Sequence, residues 1–222
     1  MTRGLAPLLL LLLALPSASR AQASAPPAEM HHRHGDPQSY IASLDDPARD
    51  AYQKPDEVLK ALALRPGETV ADVGAGSGYF AVRFARAVGP GGRVYAVDVS
   101  PDMVRHLNRR VRDEKIGNLV TVLSDHDDPL LPDASVDRVV VVDTWHHVED
   151  HVKYLAHLKR VLRPGGQVVH IDFHKRDLPV GPPPGMKIAR EDLVREMESA
   201  GFRLAAEHSF LPYQYFLVFA VR

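Results

Sequence analysis

Cysteine is absent from the 222-residue chain, which excludes disulfides, zinc–thiolate sites and a thiol nucleophile. Redox chemistry therefore gives no clue to compartment. An excess of charge of either sign is also lacking: 27 Lys and Arg face 28 Asp and Glu, for a formal net charge of −1 at pH 7. With no Lys/Arg-rich block, nothing draws the chain to a polyanion, and nucleic acid is disfavoured as a substrate. The 45% hydrophobic and 25% charged content is that of one globular domain with a substantial core.

Long apolar runs are scarce, and the one near the start has a pattern of its own. Arg3 precedes a run centred on Leu8 to Leu15 and flanked by Pro7 and Pro16, and Ala21-Gln22-Ala23 follows as a cleavage site. This is the layout of a secretory signal peptide over residues 1–23, and the run is shorter than the roughly 20 apolar residues of a membrane-spanning helix. Export to the periplasm is the expectation, with retention of the leader as a membrane anchor the alternative. Residues 24–50 read as a flexible segment that includes a lid, the lid reaching from Tyr40 to Lys54. His31, His32 and His34 read as solvated polar residues, and residues 51–222 as the folded domain.

From residue 55 helix-like and strand-like segments alternate. Pro55 opens a helix with Val58, Leu59 and Leu62 on one face, and a strand follows at Thr69 to Val73. Phe80, Val82, Phe84 and Val88 suit a buried helix, Arg93 to Val99 a strand, and Ser100 the N-cap of the next helix. Leu119 to Leu123 and the nearly unbroken apolar run Val136 to Val142 are further strands, the second reading as central and covered on both faces. A helix over Val152 to Leu162 stops at Arg163-Pro164-Gly165-Gly166, and Gln167 to Phe173 is the fifth strand. A helix around Arg190 to Ala200 precedes a hairpin of Phe202 to Phe210 and Tyr213 to Val221. Such alternation implies a parallel sheet with helices on both faces, finished by an antiparallel strand.

Residues 70 to 80 read Val-Ala-Asp-Val-Gly-Ala-Gly-Ser-Gly-Tyr-Phe, a strand breaking into a glycine loop whose backbone lies open to a nucleotide-like ligand. The dinucleotide pattern Gly-x-Gly-x-x-Gly needs its third glycine at the position of Tyr79, whereas the third glycine is Gly78. With Asp72 before it, the run resembles motif I of the class I S-adenosylmethionine-dependent methyltransferases. Asp98 ends the second strand where this family carries an acid for the ribose hydroxyls. Ser124-Asp125-His126 and the later Leu131 to Asp137 stretch resemble the ubiquinone-biosynthesis-type members, as does the turn Arg163-Pro164-Gly165-Gly166.

The resemblance implies an α/β, Rossmann-like, seven-stranded and mostly parallel sheet with an antiparallel C-terminal hairpin strand. It implies S-adenosylmethionine as cofactor, S-adenosylhomocysteine as product and a small-molecule O, N or S acceptor. The cofactor is expected against Asp72, Gly74, Ala75, Gly76, Gly78, Asp98, Val99, Asp125, His126 and Asp143. Asp72 is alternatively structural, orienting the loop through backbone N–H groups.

Methyl transfer belongs beyond the carboxyl ends of strands four and five, where Asp143, Thr144, Trp145, His146 and His147 gather. His146 or His147 is the expected base, and Trp145 and Thr144 are expected to line the pocket. Period two puts His170, Asp172 and His174 on one face of strand five, but His170 lies too early in a buried strand for a metal site, and no metal is expected. Two other readings stand beside the transferase: a non-catalytic cofactor-binding module, and a nucleotide-dependent oxidoreductase, which Tyr79 opposes.

Overall fold

The computed structural model describes Met1 and residues 36–222. The expected leader and the His31, His32 and His34 cluster lie outside the described residues. Seven strands form one sheet: β1 (Thr69–Val73), β2 (Arg93–Asp98), β3 (Leu119–Leu123), β4 (Val136–Val142), β5 (Leu162–Phe173), β6 (Phe202–His208) and β7 (Gln214–Val221). Their order is β3-β2-β1-β4-β5-β7-β6. All neighbours are parallel except that β7 runs antiparallel to both β5 and β6. The expected α/β architecture is the one observed, down to the C-terminal hairpin.

Burial follows position in the sheet. Every residue of β1 is buried, as its place between β2 and β4 requires, whereas β3 at the edge leaves Val120 and Leu123 exposed. The helices are α1 (Pro37–Leu44), α2 (Asp50–Gln53), α3 (Pro55–Leu62), α4 (Ala81–Val88), α5 (Pro101–Asp113), α6 (His151–Val161) and α7 (Arg190–Ser199). One core cluster joins Leu62, Phe84 and Leu107 of α3, α4 and α5 to Val70, Val140 and Ile171 of the sheet. The other joins Leu158, Leu193 and Met197 of α6 and α7 to Val139, Val168 and Leu217. Helices thus cover both faces, and apolar residues recur along α4 at positions 81, 82, 84, 85 and 88, the stripe a one-sided helix needs. Among the described residues no helix is long and apolar enough to cross a membrane.

Two local features differ from the sequence reading. β5 begins at Leu162 rather than Gln167: Leu162 pairs with Val136, and pairing resumes only at Gln167 with Arg138. The Arg163 to Gly166 turn is therefore an excursion within the strand, held by Arg163 Nη1 on Asp137 Oδ2 at 2.7 Å and by Gly165 in the left-handed region at φ +80°. The second difference concerns the N-terminal segment, expected to be flexible to residue 50. Residues 37–44 and 47–53 are helical, because Asp36 accepts from Ser39 N at 3.0 Å and Asp46 from Ala48 N at 2.8 Å. Each acid is followed by proline at the first helical position, a pairing that starts helices.

Candidate active site

The glycine loop is folded onto the end of β2. Gly74 N and Ala75 N donate to the Val97 carbonyl at 2.9 and 3.0 Å, and Gly78 N donates to the Ala75 carbonyl at 2.9 Å. Gly76 N donates to Asp98 Oδ2 at 2.8 Å, while Asp98 Oδ1 accepts from Ser100 N at 2.8 Å. These four loop amides are thus engaged inside the protein. A pyrophosphate, which binds through such amides, does not find these four available. A nucleoside cofactor without phosphate has no need of them.

Asp72, 2% exposed, accepts from the backbone N–H of Ala81 at the start of α4, and burial together with the Asp98 charge raises its carboxyl to about 7. It therefore ties strand to helix. Gly74 is fixed by sterics as well as by its φ of +74°: a Cβ there would lie 2.2 Å from Thr144 Cγ2 and Oγ1. Thr144 is accordingly a wedge against the loop, with Oγ1 donating to the Val142 carbonyl at 2.9 Å. Val99 sits half-buried just beyond β2, and Asp125 and His126 are exposed in the loop after β3.

At the ends of β4 and β5 the structure assembles a cluster that the sequence only partly indicated. Asp143, half-buried and left-handed at φ +51°, accepts from Gln53 Nε2 at 2.6 Å and from Gln214 Nε2 at 2.7 Å. Burial and the neighbouring Asp172 charge raise its carboxyl to about 7 against the pull of the two amides. His146 Nδ1 lies 3.2 Å from Asp172 Oδ2, the side chains being 4% and 2% exposed. Burial opposes the charged imidazole, but the Asp172 hydrogen bond and the charges of Asp172 and Asp143 outweigh it and raise the His146 pKa. His147 is exposed, its ring centroid 4.2 Å from that of His146.

Sequence reasoning set Asp172 only among strand-five residues on one face, Gln53 in the lid segment and Gln214 in the hairpin. What brings them together is strand order, since β7 lies beside β5 and pairs Asp172 with Tyr215 and Phe173 with Gln214. The strand-five trio is divided by the same packing. His170 is fully buried, its ring against Trp145 at 4.9 Å and Phe219 at 6.1 Å, and burial depresses its imidazole to about 3. Among the described residues no group of three or more His, Asp and Glu is placed to hold a metal. Trp145 was expected to line the pocket. It is instead fully buried, stacked on His151 at 4.6 Å with its Nε1 donating to Glu196 at 3.3 Å. The short 3-10 turn Trp145–His147 directs the indole into the α6–α7 core and leaves His146 on Asp172.

The N-terminal helices cover the glycine loop. Asp45, which caps α1, accepts from Ser77 Oγ at 2.8 Å and from Arg110 Nη1 at 3.0 Å, and Arg110 Nη1 also donates to the Ser77 carbonyl at 3.0 Å. Farther along, Asp50 accepts from the Tyr79 hydroxyl. The Arg49 and Arg83 guanidiniums lie 4.6 and 4.1 Å from the Tyr79 ring centroid. A cleft of about 550 Å³ beside these contacts is lined by Asp45, Asp50, Tyr79, Arg83, His106 and Arg110 among others, and holds none of the expected site residues.

A mostly parallel sheet with a glycine loop after β1, an acid ending β2 and an antiparallel β7 is of the Rossmann-like class. The family model described as a methyltransferase domain matches residues 71–170. The crystal structure of an S-adenosylmethionine-dependent methyltransferase from Aquifex aeolicus is 33% identical, with a TM-score of 0.80 over 84% of this chain and 99% of that one. The ubiquinone/menaquinone biosynthesis C-methyltransferase of Hydrogenovibrio crunogenus is 34% identical over 123 residues, 55% of this chain and 48% of its own. A demethylmenaquinone methyltransferase of Listeria welshimeri is 28% identical over 123 residues, 55% of this chain and 52% of its own. The chain thus spans about half the length of these two curated relatives. It belongs to the class I S-adenosylmethionine-dependent methyltransferases.

Electrostatics fit such a cofactor, whose sulfonium adds a positive charge. Asp72, Asp143 and Asp172 stand near one another's charges or that of Asp98. Among the described residues neither Asp143 nor Asp172 makes an ion pair with lysine or arginine.

Proposed function

We propose that this methyltransferase acts on a small-molecule acceptor whose nucleophilic O, N or S loses a proton to His146. The observation that carries the reading is the buried His146–Asp172 pair at the ends of β4 and β5, where ligands of open parallel sheets bind. S-adenosylmethionine supplies an activated methyl when bound. Asp72, the loop from Gly74 through Gly78, Asp98, Val99, Asp125, His126 and Asp143 are the residues proposed to hold it. His146 donates Nδ1–H to Asp172, which leaves the Nε2 lone pair to accept a proton. The chain otherwise contributes orientation, since an in-line displacement at an activated carbon needs chiefly alignment.

The test is formation of S-adenosylhomocysteine from S-adenosylmethionine and a panel of phenols, amines and thiols. The panel includes a quinol with a free ring carbon, because curated relatives carry quinone-biosynthesis names. Turnover on a phenol, amine or thiol supports the reading, whereas methylation only at the quinol ring carbon overturns the O, N or S assignment. Tight cofactor binding with no product on any member favours the non-catalytic module instead. We further propose that residues 1–23 direct export, which fractionation of a tagged full chain tests: a wholly cytoplasmic tag overturns it.

A further inference from the structure

The carboxyl of Asp143 is held between opposing influences. Gln53 from α2 and Gln214 from β7 each turn an amide N–H to one of its oxygens, at 2.6 and 2.7 Å, and such bonds favour the carboxylate. In the carboxylate form both oxygens accept, and each glutamine presents Nε2 to one of them. The Oε1 of Gln214 is thereby turned away and is buried without a hydrogen-bond partner among the described residues. Against the amides stand loss of water and the charge of Asp172 on β5. The remaining charged or titratable groups that reach Asp143 are Arg49 from the turn before α2, His146 after β4, Tyr40 on α1 and Tyr215 on β7.

Resting on the methyltransferase reading, we infer that Asp143, with Asp172 behind it, reads the positive charge on the sulfur of the cofactor and so distinguishes S-adenosylmethionine from S-adenosylhomocysteine. The two ligands share adenosine, ammonium and carboxylate and differ by one methyl and one charge, so an acid on the sulfur side would separate them, and Asp143 directly follows the carboxyl end of β4, where ligands of such sheets bind. A positive charge offsets the Asp172 repulsion and lets Asp143 ionise. A neutral thioether does not, so the spent cofactor faces a protonated acid and leaves more readily. The sign follows from linkage: a cationic ligand favours the carboxylate, so its binding releases a proton and its affinity rises with pH through the raised carboxyl value of about 7.

Calorimetry of the whole chain with each ligand, in buffers of different ionisation enthalpy, reads this directly. A group half-protonated at pH 7 gives release of about half a proton per S-adenosylmethionine bound, and S-adenosylhomocysteine gives little. Between pH 6 and 8 the affinity ratio of the two ligands should rise up to roughly tenfold. Asp143→Asn, which asparagine's tolerance of left-handed backbone permits, should flatten that rise. Gln53→Met, which removes one amide from the carboxylate, should move it to higher pH and serves if the first variant does not fold. Equal proton release for the two ligands, or an undiminished rise in Asp143→Asn, overturns the inference while leaving the methyltransferase reading intact. Failure of wild type to bind either ligand overturns both.

Discussion

His146 Nδ1 and Asp172 Oδ2 stand 3.2 Å apart with both side chains almost wholly buried, and the second oxygen of the acid, Oδ1, accepts from Phe173 N at 2.8 Å. The acid is thus anchored at one end and orients an imidazole with the other. Since Asp172 contributes most to raising the His146 pKa, the limb of kcat/KM that reports the neutral base should lie above the ordinary histidine value. Asp172→Asn should move that limb to lower pH and lower the plateau about tenfold through looser orientation. His146→Ala should cost roughly 100-fold or more in kcat, the scale of general-base catalysis, and should spare cofactor affinity. A rate–pH profile that is unmoved in Asp172→Asn would show that the pair is structural.

Gly74 and Gly67 share left-handed φ values, +74° and +89°, but a Cβ on Gly67 meets nothing within 4 Å whereas one on Gly74 collides with Thr144. Gly67→Ala should therefore cost about 1 kcal/mol of stability from backbone strain alone. Gly74→Ala should cost a further 1–3 kcal/mol, roughly the overpacking range, because Thr144 cannot turn away without losing its bond to Val142. Urea unfolding of the two variants gives the comparison. Equal losses would remove the wedge as the reason for glycine at this position.

How much of this could be read from the sequence depended on whether local pattern or strand order placed the residue. β1, β3 and β4 have the ranges expected, and Ser100 caps α5 by accepting from Met103 N, because alternation, apolar runs and caps are local signals. Asp72 and Asp98 were legible as acids beside a glycine loop. Gln53, Asp172 and Gln214 were not legible as one cluster, since they come from three elements that meet only when β7 inserts beside β5. Trp145 was misplaced because one 3-10 turn decides which neighbour points to the core, and residue order alone does not say which. The helices at 37–53 were signalled by Asp36-Pro37 and Asp46-Pro47, a cue that the low hydrophobicity around them masked.

Asp72 carries a prediction for stability against pH. Its carboxyl titrates near 7 in the folded chain against a reference of 3.8, so between about pH 4 and 7 the folded state holds a proton that the unfolded state has lost. Stability contributed by this group is present at low pH and falls as pH rises through the folded value. Asp72→Asn keeps an acceptor for Ala81 N but cannot ionise. The stability difference between variant and wild type should shift in favour of the variant from pH 5 to pH 7.5, with the contribution of Asp143 common to both. A difference that stays constant over that range would mean that Asp72 titrates normally.

The covering helices bring a kinetic prediction. Asp45 meets Ser77 Oγ, Arg110 Nη1 and, at 3.7 Å, His106 Nε2, so one side chain at the end of α1 is tied both to the glycine loop and to α5. Ser77 is itself nearly fully buried, and its hydroxyl reaches Asp45 only while α1 lies over the loop. On the reading that α1 is a lid, opening for cofactor exchange breaks these contacts. The Asp45 and Arg110 side chains are 34% and 22% exposed, so solvent screens the pair and the contacts together are worth about 1 kcal/mol. Asp45→Ala should then speed release of S-adenosylhomocysteine by roughly fivefold, the rate equivalent of that energy. Arg110→Ala should do much the same, and the double variant should add little, because the two residues form one latch. Asp46→Ala, which loses only the local cap on Ala48, is the control. Stopped-flow release measurements give all four rates, and release unchanged in Asp45→Ala would mean that α1 does not gate the site.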